Sequence, residues 1–286
     1  MKPAVFAYHA PTSVDEAVAL LGEYAAEDGR ILAGGQSLVP TMAFRLAKPA
    51  HLIDINGIAA LKLLLEIENG GILIGACVRH AAFHRPVVAG PLGVLLTEVV
   101  RHIAHYPIRL RGTFCGSLAH ADPASEWCLV AATLGASMSA ISTRGTRKIA
   151  SADFFAGIMT TALAEDELLA RVHLPLLSND TRFGFCEFSR RAGDYAIAMT
   201  LVTLHLDGGT IVDPRVGIGG AEATPRRIPE AEAALAGRPP EAAVLRAAAD
   251  AAAAAIEPLE DIQADAAYRR DLVRAMTRRA LERACA

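Results

Sequence analysis

The spacing of apolar residues divides the chain into three regions of helix and strand. In the first region, a capping box formed by Ser13 and Glu16 precedes an apolar stripe with helical spacing, made of Val14, Ala17, Val18, Leu20 and Leu21. This pattern predicts a helix over residues 14–24. Shorter apolar runs predict strands at residues 30–33 and 51–55, with a helix at residues 38–46 between them. The first region, residues 1–56, is therefore predicted to be a compact α/β lobe.

The second region, residues 57–176, begins with two strand-like runs at residues 61–67 and 71–74. They are joined by Glu68-Asn69-Gly70, and Asn-Gly between apolar runs is a strong signal for a hairpin turn. Helices are predicted at residues 95–102 and 125–134, and further strands at residues 136–141 and 168–174. These elements predict a second α/β lobe that ends near Pro175.

The third region, residues 177–286, follows a polar candidate linker at residues 176–182. Antiparallel strands are predicted at residues 183–189, 199–206 and 216–219, with a hairpin turn at Asp207-Gly208-Gly209. Gly217-Ile218-Gly219-Gly220 lacks a following hydroxyl residue and a helix start, so we expect a turn at a strand end. An alanine-rich helix at residues 241–256 and an arginine-rich helix at residues 266–284 complete an α+β chain.

Charge and cysteine content narrow the function classes. The 286 residues carry a formal net charge of −3 without a basic excess, so neither nucleic acid nor an anionic membrane is an expected partner. No C-x-x-C motif occurs, and the odd number of cysteines argues against a disulfide framework and against a zinc or iron–sulfur site in this chain: Cys77, Cys115, Cys128, Cys186 and Cys285. With neither a signal peptide nor an apolar stretch long enough for a bilayer, we expect a cytoplasmic protein without a transmembrane segment.

Two short loops combine glycine with a hydroxyl residue. They are Ala33-Gly34-Gly35-Gln36-Ser37 and Gly112-Thr113-Phe114-Cys115-Gly116-Ser117. Glycine allows backbone N–H groups to approach a ligand closely, and successive N–H groups form a concavity that binds anions. Neither loop matches the P-loop or the G-x-G-x-x-G fingerprint, and each alone could be an ordinary turn. Together they predict a clamp on a diphosphate.

The polar residues near the second loop leave alternatives open. Arg109 and Arg111 could offset phosphate charge or could be surface arginines. Asp122 and Glu126 could accept hydrogen bonds from a ribose diol, as acids do in dinucleotide sites. Asp122, which precedes Pro123, is strongly suited to cap a helix. The corresponding alternative for Glu126, an acid that complements the dipole of a first helical turn, is weaker.

Other candidate groups also have two interpretations. Tyr195 could place its ring beside a cofactor ring or could pack between lobes. Cys115 could be an activated thiolate, although a small residue filling a glycine-like position is the favoured interpretation. Two histidine pairs lack accompanying ligands at zinc-site spacing, so we expect surface or loop histidines without a metal: His80 with His84, and His102 with His105.

The motifs resemble those of a known family when they are taken together and in order. Three motifs resemble those of the FAD-binding medium subunit of molybdenum hydroxylases, a family that includes carbon monoxide dehydrogenase and xanthine dehydrogenase. They are the first loop, Ile108-Arg109-x-Arg111-Gly112-Thr113-x-x-Gly116-Ser117, and Gly193-Asp194-Tyr195-Ala196. The resemblance extends over nearly the whole chain, including the arginine-rich C-terminal helix. Three motifs in register are more specific than either glycine loop alone.

The resemblance implies a fold and a set of cofactor contacts. The fold would be two α/β lobes that form a PCMH-type FAD-binding domain, followed by a C-terminal domain with an antiparallel sheet and helices. Glu126 would bind the adenosine ribose, Ile103 would lie near the flavin ring, Tyr195 would cover it, and Leu168 or Leu169 would line the adenine side. The pyrophosphate and neighbouring groups would be held by Ile31, Leu32, Ala33, Gly34, Gly35, Gln36, Ser37, Leu38, Thr113, Phe114, Cys115, Gly116 and Ser117.

The resemblance also implies a role in a complex. Electrons would pass from [2Fe–2S] clusters of a small partner subunit through FAD to an external acceptor, while a large molybdopterin subunit oxidises the substrate. A dimer of such heterotrimers is expected, and no catalytic or metal-binding residue is assigned to this chain. The sequence departs from the family in having Cys115 where glycine is usual and Ser117 where asparagine is common. It also has no lysine around Cys186 or Glu187, where some relatives carry one.

Two other functions remain open from the sequence. A self-contained FAD-dependent oxidase or dehydrogenase would use the same clamp, but it would need a substrate pocket and a base of its own. A non-catalytic subunit that has lost FAD is the third alternative, for which Cys115 in the second loop is the only indication.

Overall fold

A parallel sheet with flanking helices forms the first part of the fold. The computed structural model describes residues 2–67 and 70–286. The sheet has the strand order β1-β3-β2, with both pairs parallel: β1 (Ala7–His9), β2 (Gly29–Leu32) and β3 (His51–Asp54). Two helices connect these strands, α1 (Val14–Tyr24) and α2 (Leu38–Ala43). The predicted helix at residues 14–24 is confirmed, whereas α2 ends earlier than predicted because Arg45 adopts a left-handed φ of 59°.

The N-terminus of α1 has the predicted cap. Ser13 Oγ accepts a hydrogen bond from Glu16 N at 3.1 Å. The return bond of the box goes one residue further back than expected, because the Glu16 carboxylate accepts from Thr12 N at 2.7 Å. Local sequence therefore sets where this helix begins.

An antiparallel sheet of five strands forms the second part, in the order β4-β5-β10-β6-β7. Its strands are β4 (Leu64–Ile67), β5 (Gly71–Gly75), β6 (Ser137–Ser142), β7 (Gly145–Ala150) and β10 (Leu168–Pro175), beside a two-stranded ribbon of β8 (Phe155–Gly157) and β9 (Thr160–Thr161). Its helices are α3 (Pro91–Val99), α4 (Tyr106–Arg109), α5 (Phe114–His120), α6 (Glu126–Leu134) and α7 (Ser151–Phe154). In the predicted turn between β4 and β5, Glu68 and Asn69 lie outside the described residues, while Gly70 has a φ of +76°.

A second antiparallel sheet and three helices form the C-terminal part. The strands follow one another in the order β11 (Arg182–Phe188), β12 (Ala198–Asp207), β13 (Thr210–Gly219) and β14 (Arg226–Arg227). The helices are α8 (Pro229–Leu235), α9 (Ala242–Ala255) and α10 (Ala266–Cys285). The predicted hairpin turn between β12 and β13 is confirmed, since Gly208 and Gly209 have φ values of +54° and +80°.

Helix α6 lies where the two larger sheets meet. It belongs to the core under the five-stranded sheet and also packs on β13. A Cβ on Gly217 would lie 1.9 Å from Thr133 Oγ1, so only glycine lets the helix rest on the strand. The predicted strand at residues 216–219 belongs to β13, and the predicted turn at its end is at Gly220, which has a φ of +75°. The helix is thus held from both sides, which fixes Glu126 at its first position.

The predicted α+β architecture is confirmed. Each predicted domain, at residues 1–56, 57–176 and 177–286, contains one of the three larger sheets, and the boundaries themselves stay predictions. All five cysteines are free, and four of them are buried. Within residues 2–67 and 70–286, no helix is both long and apolar enough to cross a membrane.

Candidate functional site

A cavity of about 790 Å³ opens between the first loop, helices α5 and α6, strand β10 and the segment before β12. Every predicted site residue except Phe114 lines it, including residues 31–38, 113 and 115–117. Ile103, Glu126, Leu168, Leu169 and Tyr195 complete this set. The structure therefore brings together residues that are up to 164 positions apart in the chain, from Ile31 to Tyr195.

The first loop leaves β2 and turns sharply into α2. Gly35 has a φ of +71°, which an L side chain rarely adopts, so glycine suits this bend. Among the described residues, no acceptor receives the backbone N–H groups of Gly35, Gln36, Ser37 and Leu38. Because these residues line the cavity, four successive donors are available there for an anionic ligand.

The second loop is the first turn of a helix, which differs from the predicted loop. Thr113 is the N-cap of α5, and its Oγ1 accepts a hydrogen bond from Gly116 N at 3.0 Å. The Phe114 ring is fully buried against Phe83 and Trp127, and Phe114 N donates to Val78 O at 3.0 Å. Phe114 therefore anchors the turn in the core and, contrary to its place among the predicted contacts, does not line the cavity.

Cys115 also belongs to the core side of this turn. Its Sγ lies 3.4 Å from Ile74 O, to which the thiol donates, and the side chain is buried. Burial raises the pKa of the Cys115 thiol far above its ordinary value, so the group stays a thiol at neutral pH. The favoured interpretation of Cys115 as a small residue in a glycine-like position is consistent with this geometry, whereas an activated thiolate is not.

The two loops touch each other through their backbones. A Cβ on Gly34 would lie 2.6 Å from Arg111 O and 2.7 Å from Gly112 Cα. The φ of Gly34 lies outside the left-handed region, so its backbone conformation does not require glycine. Glycine is required at position 34 because any Cβ would collide with the second loop. From the sequence, Gly34 was predicted to be part of a loop that binds a diphosphate; the contact between the two loops at Gly34 was not predicted.

Two residues that sequence reasoning missed hold the loops together. Asn56 Nδ2 donates to Ala33 O at 2.7 Å in the first loop. The Arg79 guanidinium donates both to Asn56 Oδ1 and to Arg111 O, which links that amide to the second loop. Asn56 follows β3 and Arg79 follows β5, and no local motif in the sequence marks either of them.

Glu126 is the carboxyl group at the cavity wall. It is only 7% exposed, and burial is the main cause that raises its pKa, with Asp122 adding to the effect and Arg109 opposing it. Burial and the proximity of Glu126 also raise the pKa of Glu187. A ribose diol can donate to a carboxyl oxygen of Glu126 at this place.

Asp122 also lines the cavity, but neither predicted arginine does. Asp122 Oδ1 accepts from Ala124 N at 2.9 Å, which stabilises the turn before α6. Arg111 is exposed, and Arg109 donates to the carbonyl oxygens of Val100 and Ala104 at 3.2 and 3.4 Å. Neither arginine therefore lines the cavity, whereas the residues that carry the N–H groups from Gly35 to Leu38 do.

Tyr195 and Ile103 approach the cavity from two segments that pack on each other. Gly193 has a φ of +86°, and a Cβ there would lie 2.6 Å from His105 Cε1 and 2.9 Å from Ala104 O. This contact brings the Gly193-Asp194-Tyr195 segment against the residues that follow Ile103. Tyr195 remains 59% exposed at the mouth of the cavity, while Ile103 is buried at its wall.

His80 differs from the prediction that it would be a surface or loop histidine. It is 4% exposed, lines the cavity and accepts a hydrogen bond at Nδ1 from Trp127 Nε1 at 3.0 Å. Burial, followed by the charges of Arg79 and Arg109, lowers the pKa of His80 to about 4. Over the described part of the chain, no group of three or more His, Cys, Asp or Glu side chains is placed to hold a metal ion.

These features fit the FAD that the resemblance implies. A diphosphate needs several donors, and residues 35–38 offer four N–H groups for which the described part of the chain has no acceptor. A Cβ at Gly34 would fill the space where the loops meet. Apolar side chains of Ile103 and Leu168 lie on the walls, as a ring system requires, and Glu126 supplies an acceptor.

Comparison with known proteins agrees with this arrangement. A family described as the FAD binding domain in molybdopterin dehydrogenase matches residues 4–177, and one described as the CO dehydrogenase flavoprotein C-terminal domain matches residues 183–284. The chain is 39% identical over 282 residues to the nicotine 6-hydroxylase medium subunit of Paenarthrobacter nicotinovorans, with 98% of each chain covered. It is 36% identical over 287 residues to the carbon monoxide dehydrogenase medium chain of Hydrogenophaga pseudoflava, with 100% of this chain and 99% of that one covered.

Solved structures show the same similarity. Carbon monoxide dehydrogenase from Hydrogenophaga pseudoflava, in a form that lacks the Mo-pyranopterin moiety of the molybdenum cofactor, matches with a TM-score of 0.95 and 37% identity, covering 99% of this chain and 98% of that one. Quinoline 2-oxidoreductase from Pseudomonas putida 86 matches with a TM-score of 0.93 and 35% identity, covering 100% and 98%. With both family matches and these relatives, the chain belongs to the FAD-binding medium subunits of molybdenum hydroxylases, a family of oxidoreductases.

Proposed function

We propose that this subunit holds FAD in the cavity between its two loops and relays electrons from [2Fe–2S] clusters of a small partner subunit to an external acceptor. A large molybdopterin subunit would oxidise the substrate. The observation that carries the proposal is the set of four backbone N–H groups, from Gly35 to Leu38, that belong to residues lining the cavity and have no acceptor among the described residues. Bound FAD would supply the ability to exchange electrons either singly or in pairs.

The residues of this chain would bind and orient the cofactor. Residues 31–38 and the first turn of α5 would hold the diphosphate, and Glu126 would accept a hydrogen bond from the adenosine ribose. Leu168 and Leu169, both buried, would line the adenine side. Ile103 would contact the flavin ring, and Tyr195, at the mouth, would cover it and limit access of water.

The assembly is proposed to be a dimer of heterotrimers in the cytoplasm. The names of the relatives support a complex with several chains, since they include medium subunits, medium chains and a subunit alpha of the 6-hydroxypseudooxynicotine dehydrogenase complex. The net charge of −3 and the lack of a basic excess support small-molecule and protein partners over nucleic acid. The choice of substrate would then belong to the large subunit.

Spectroscopy of the purified full-length chain tests the proposal. We expect a yellow protein with the absorption bands of an oxidised flavin, and chromatography of the released cofactor should identify FAD at one per chain. An affinity-tagged chain recovered from its native cells should bring a molybdenum-containing chain and an iron–sulfur chain with it. A colourless chain that takes up no added FAD would refute the relay, and turnover of a small substrate by the isolated chain would favour a self-contained oxidase or dehydrogenase.

A further inference from the structure

His80 lies beneath the second loop and is held there by its backbone. His80 N donates to Gly112 O at 3.0 Å, and Phe114 N donates to Val78 O at 3.0 Å, so the two segments pair on both sides of Arg79, directly before the histidine. A Cβ on Gly112 would lie 2.5 Å from His80 Nε2. This nitrogen is therefore directed toward Gly112, which also lines the cavity.

The hydrogen bond from Trp127 fixes the protonation of the imidazole. The indole Nε1–H can only donate, so His80 Nδ1, at 3.0 Å, must be the unprotonated acceptor. A neutral ring then carries its proton on Nε2. The lowered pKa of about 4 agrees with a neutral ring at physiological pH.

The Nε2–H group is a donor without an acceptor among residues 2–67 and 70–286, on a side chain that is 4% exposed and lines the cavity. We propose that His80 is a further cofactor-binding residue, whose Nε2–H donates to an oxygen of the dinucleotide beside Gly112. The inference rests on the proposed function, because it requires FAD in this cavity. Nε2 is not fully enclosed by the described residues, so an oxygen bound in the cavity can reach this donor and accept its hydrogen bond.

The chemistry of His80 suits a phosphate or a ribityl oxygen equally. Both are hydrogen-bond acceptors, and a neutral donor adds to the backbone N–H groups without bringing another charge next to Arg79. Gly112 directly precedes Thr113, the cap of the turn proposed to hold the diphosphate. The acceptor is thus expected on the phosphate or on the part of the ribityl chain next to it.

Two substitutions separate the binding role from a structural one. His80→Asn places an amide oxygen near the Nδ1 position, so it keeps an acceptor for Trp127 and loses the donor toward the cavity. His80→Gln places an amide N–H near the Nε2 position and so restores the donor. We expect FAD to bind about five- to tenfold more weakly to the Asn variant and within about twofold of normal to the Gln variant, as the loss of one neutral hydrogen bond predicts.

The matched control is Trp127→Phe, which removes the donor to Nδ1 and leaves the imidazole in place. Thermal unfolding of the FAD-free variants reports packing, while equilibrium titration with FAD reports binding. A purely structural role predicts that FAD affinity follows thermal stability across the three variants. Affinity that is lost in His80→Asn out of proportion to its thermal stability, and restored in His80→Gln, supports the proposal.

Nitrogen-15 NMR of histidine-labelled full-length chain gives a test that needs no variant. We expect the FAD-free chain to show the Nε2–H tautomer of His80 and the Nε2–H signal to shift when FAD is added. An Nδ1–H tautomer, or an Nε2–H signal that FAD does not move, would overturn the inference. A wild-type chain that binds no FAD would overturn the proposed function as well, whereas normal FAD binding with an unmoved signal overturns only the role of His80.

Titration with ADP distinguishes the two acceptors. ADP carries the diphosphate but lacks the ribityl chain. If His80→Asn weakens ADP and FAD by the same factor, the acceptor is a phosphate oxygen. If only FAD is weakened, the acceptor lies on the ribityl side, and if neither is weakened, His80 does not bind the cofactor.

Discussion

The two glycine loops both combine glycine with a hydroxyl residue, but their structures differ. The first loop bends through a left-handed Gly35 and leaves four N–H groups without acceptors in the described structure. The second is the capped first turn of α5, with Phe114 and Cys115 buried in the core. The comparison teaches that glycine with a hydroxyl residue does not specify one kind of loop. The residues that pack against each loop decide whether its backbone N–H groups are left without acceptors or whether its side chains are fixed in the core.

Among the substitutions in the two loops, Gly34→Ala is expected to weaken FAD binding most, because it forces the loops apart. The added Cβ would lie 2.6 Å from Arg111 O and 2.7 Å from Gly112 Cα, and neither backbone atom can rotate away. Overpacking of this kind costs about 1–3 kcal/mol, so we expect FAD to bind about tenfold more weakly or worse. Equilibrium FAD titration of the cofactor-free chain measures the effect.

Gly22→Ala is the matched control for this substitution. Gly22 lies inside α1, away from the cavity, and its Cβ would make an ordinary contact of 3.4 Å with Thr143 Cγ2. Alanine in a helix interior is about 0.5–1 kcal/mol more favourable than glycine, so stability should not fall and FAD affinity should not change. Equal FAD affinities in the two alanine variants would contradict the close contact between the loops.

A smaller effect is expected from Thr113→Ala, which removes the cap of α5. Gly116 N loses its acceptor, and an N-cap of this type contributes about 1 kcal/mol to stability. Because the same turn is proposed to contact the diphosphate, we expect thermal stability to fall and FAD affinity to drop about five- to tenfold.

Ser13→Ala removes an equivalent cap far from the cavity. Ser13 Oγ accepts from Glu16 N at 3.1 Å, as Thr113 Oγ1 accepts from Gly116 N at 3.0 Å. Both variants should therefore lose about the same stability, about 1 kcal/mol, and only the Thr113 variant should lose FAD affinity. If FAD affinity falls equally in both, the first turn of α5 has no direct role in binding.

The first loop could be predicted from the sequence because its signals are local. A short strand, a glycine pair and a helix start follow one another within residues 29–43, and the structure has the same order. The capping box of α1 and the Gly208-Gly209 turn are local signals of the same kind. In each case the residue types in the segment themselves favour the backbone conformation that the segment adopts.

The second loop could be only partly predicted, because its structure depends on distant residues. Phe114 becomes helical within a core formed with Phe83 and Trp127, and the turn pairs with the segment around Val78. The same reason explains why the Asn56–Arg79 bridge and the buried His80 escaped detection. None of these residues has a pattern in its own segment that predicts the contact it makes.

Several elements of the fold, among them strand β7 and helix α8, were missed for a related reason. Strand β7 has an exposed and mostly polar sequence, and it is held at the sheet edge by pairing with β6. Helix α8 has only seven residues and begins at Pro229, so it offers little periodicity to recognise. Tertiary pairing and packing, which a single sequence does not show, place both of them.

The smallest effect on cofactor binding is expected from Cys115→Ala, although Cys115 lies within the second motif. Its thiol donates to Ile74 O at 3.4 Å on the core side of the turn, and the side chain is 2% exposed. Removing the sulfur should lower stability by about 1 kcal/mol, as is typical of single core substitutions, while FAD affinity should stay within about twofold of normal. Urea unfolding and FAD titration separate the two results.

Alkylation of the native chain examines the same residue without a substitution. Burial raises the pKa of Cys115 so far that little thiolate forms, and the side chain is only 2% exposed to a reagent. Cys285, half-buried at the end of α10, should therefore be alkylated before Cys115. If Cys115 reacts first, or if Cys115→Ala weakens FAD binding as strongly as Thr113→Ala, then the thiol faces the cofactor. The second loop would then contact FAD through its side chains, and its contrast with the first loop would be lost.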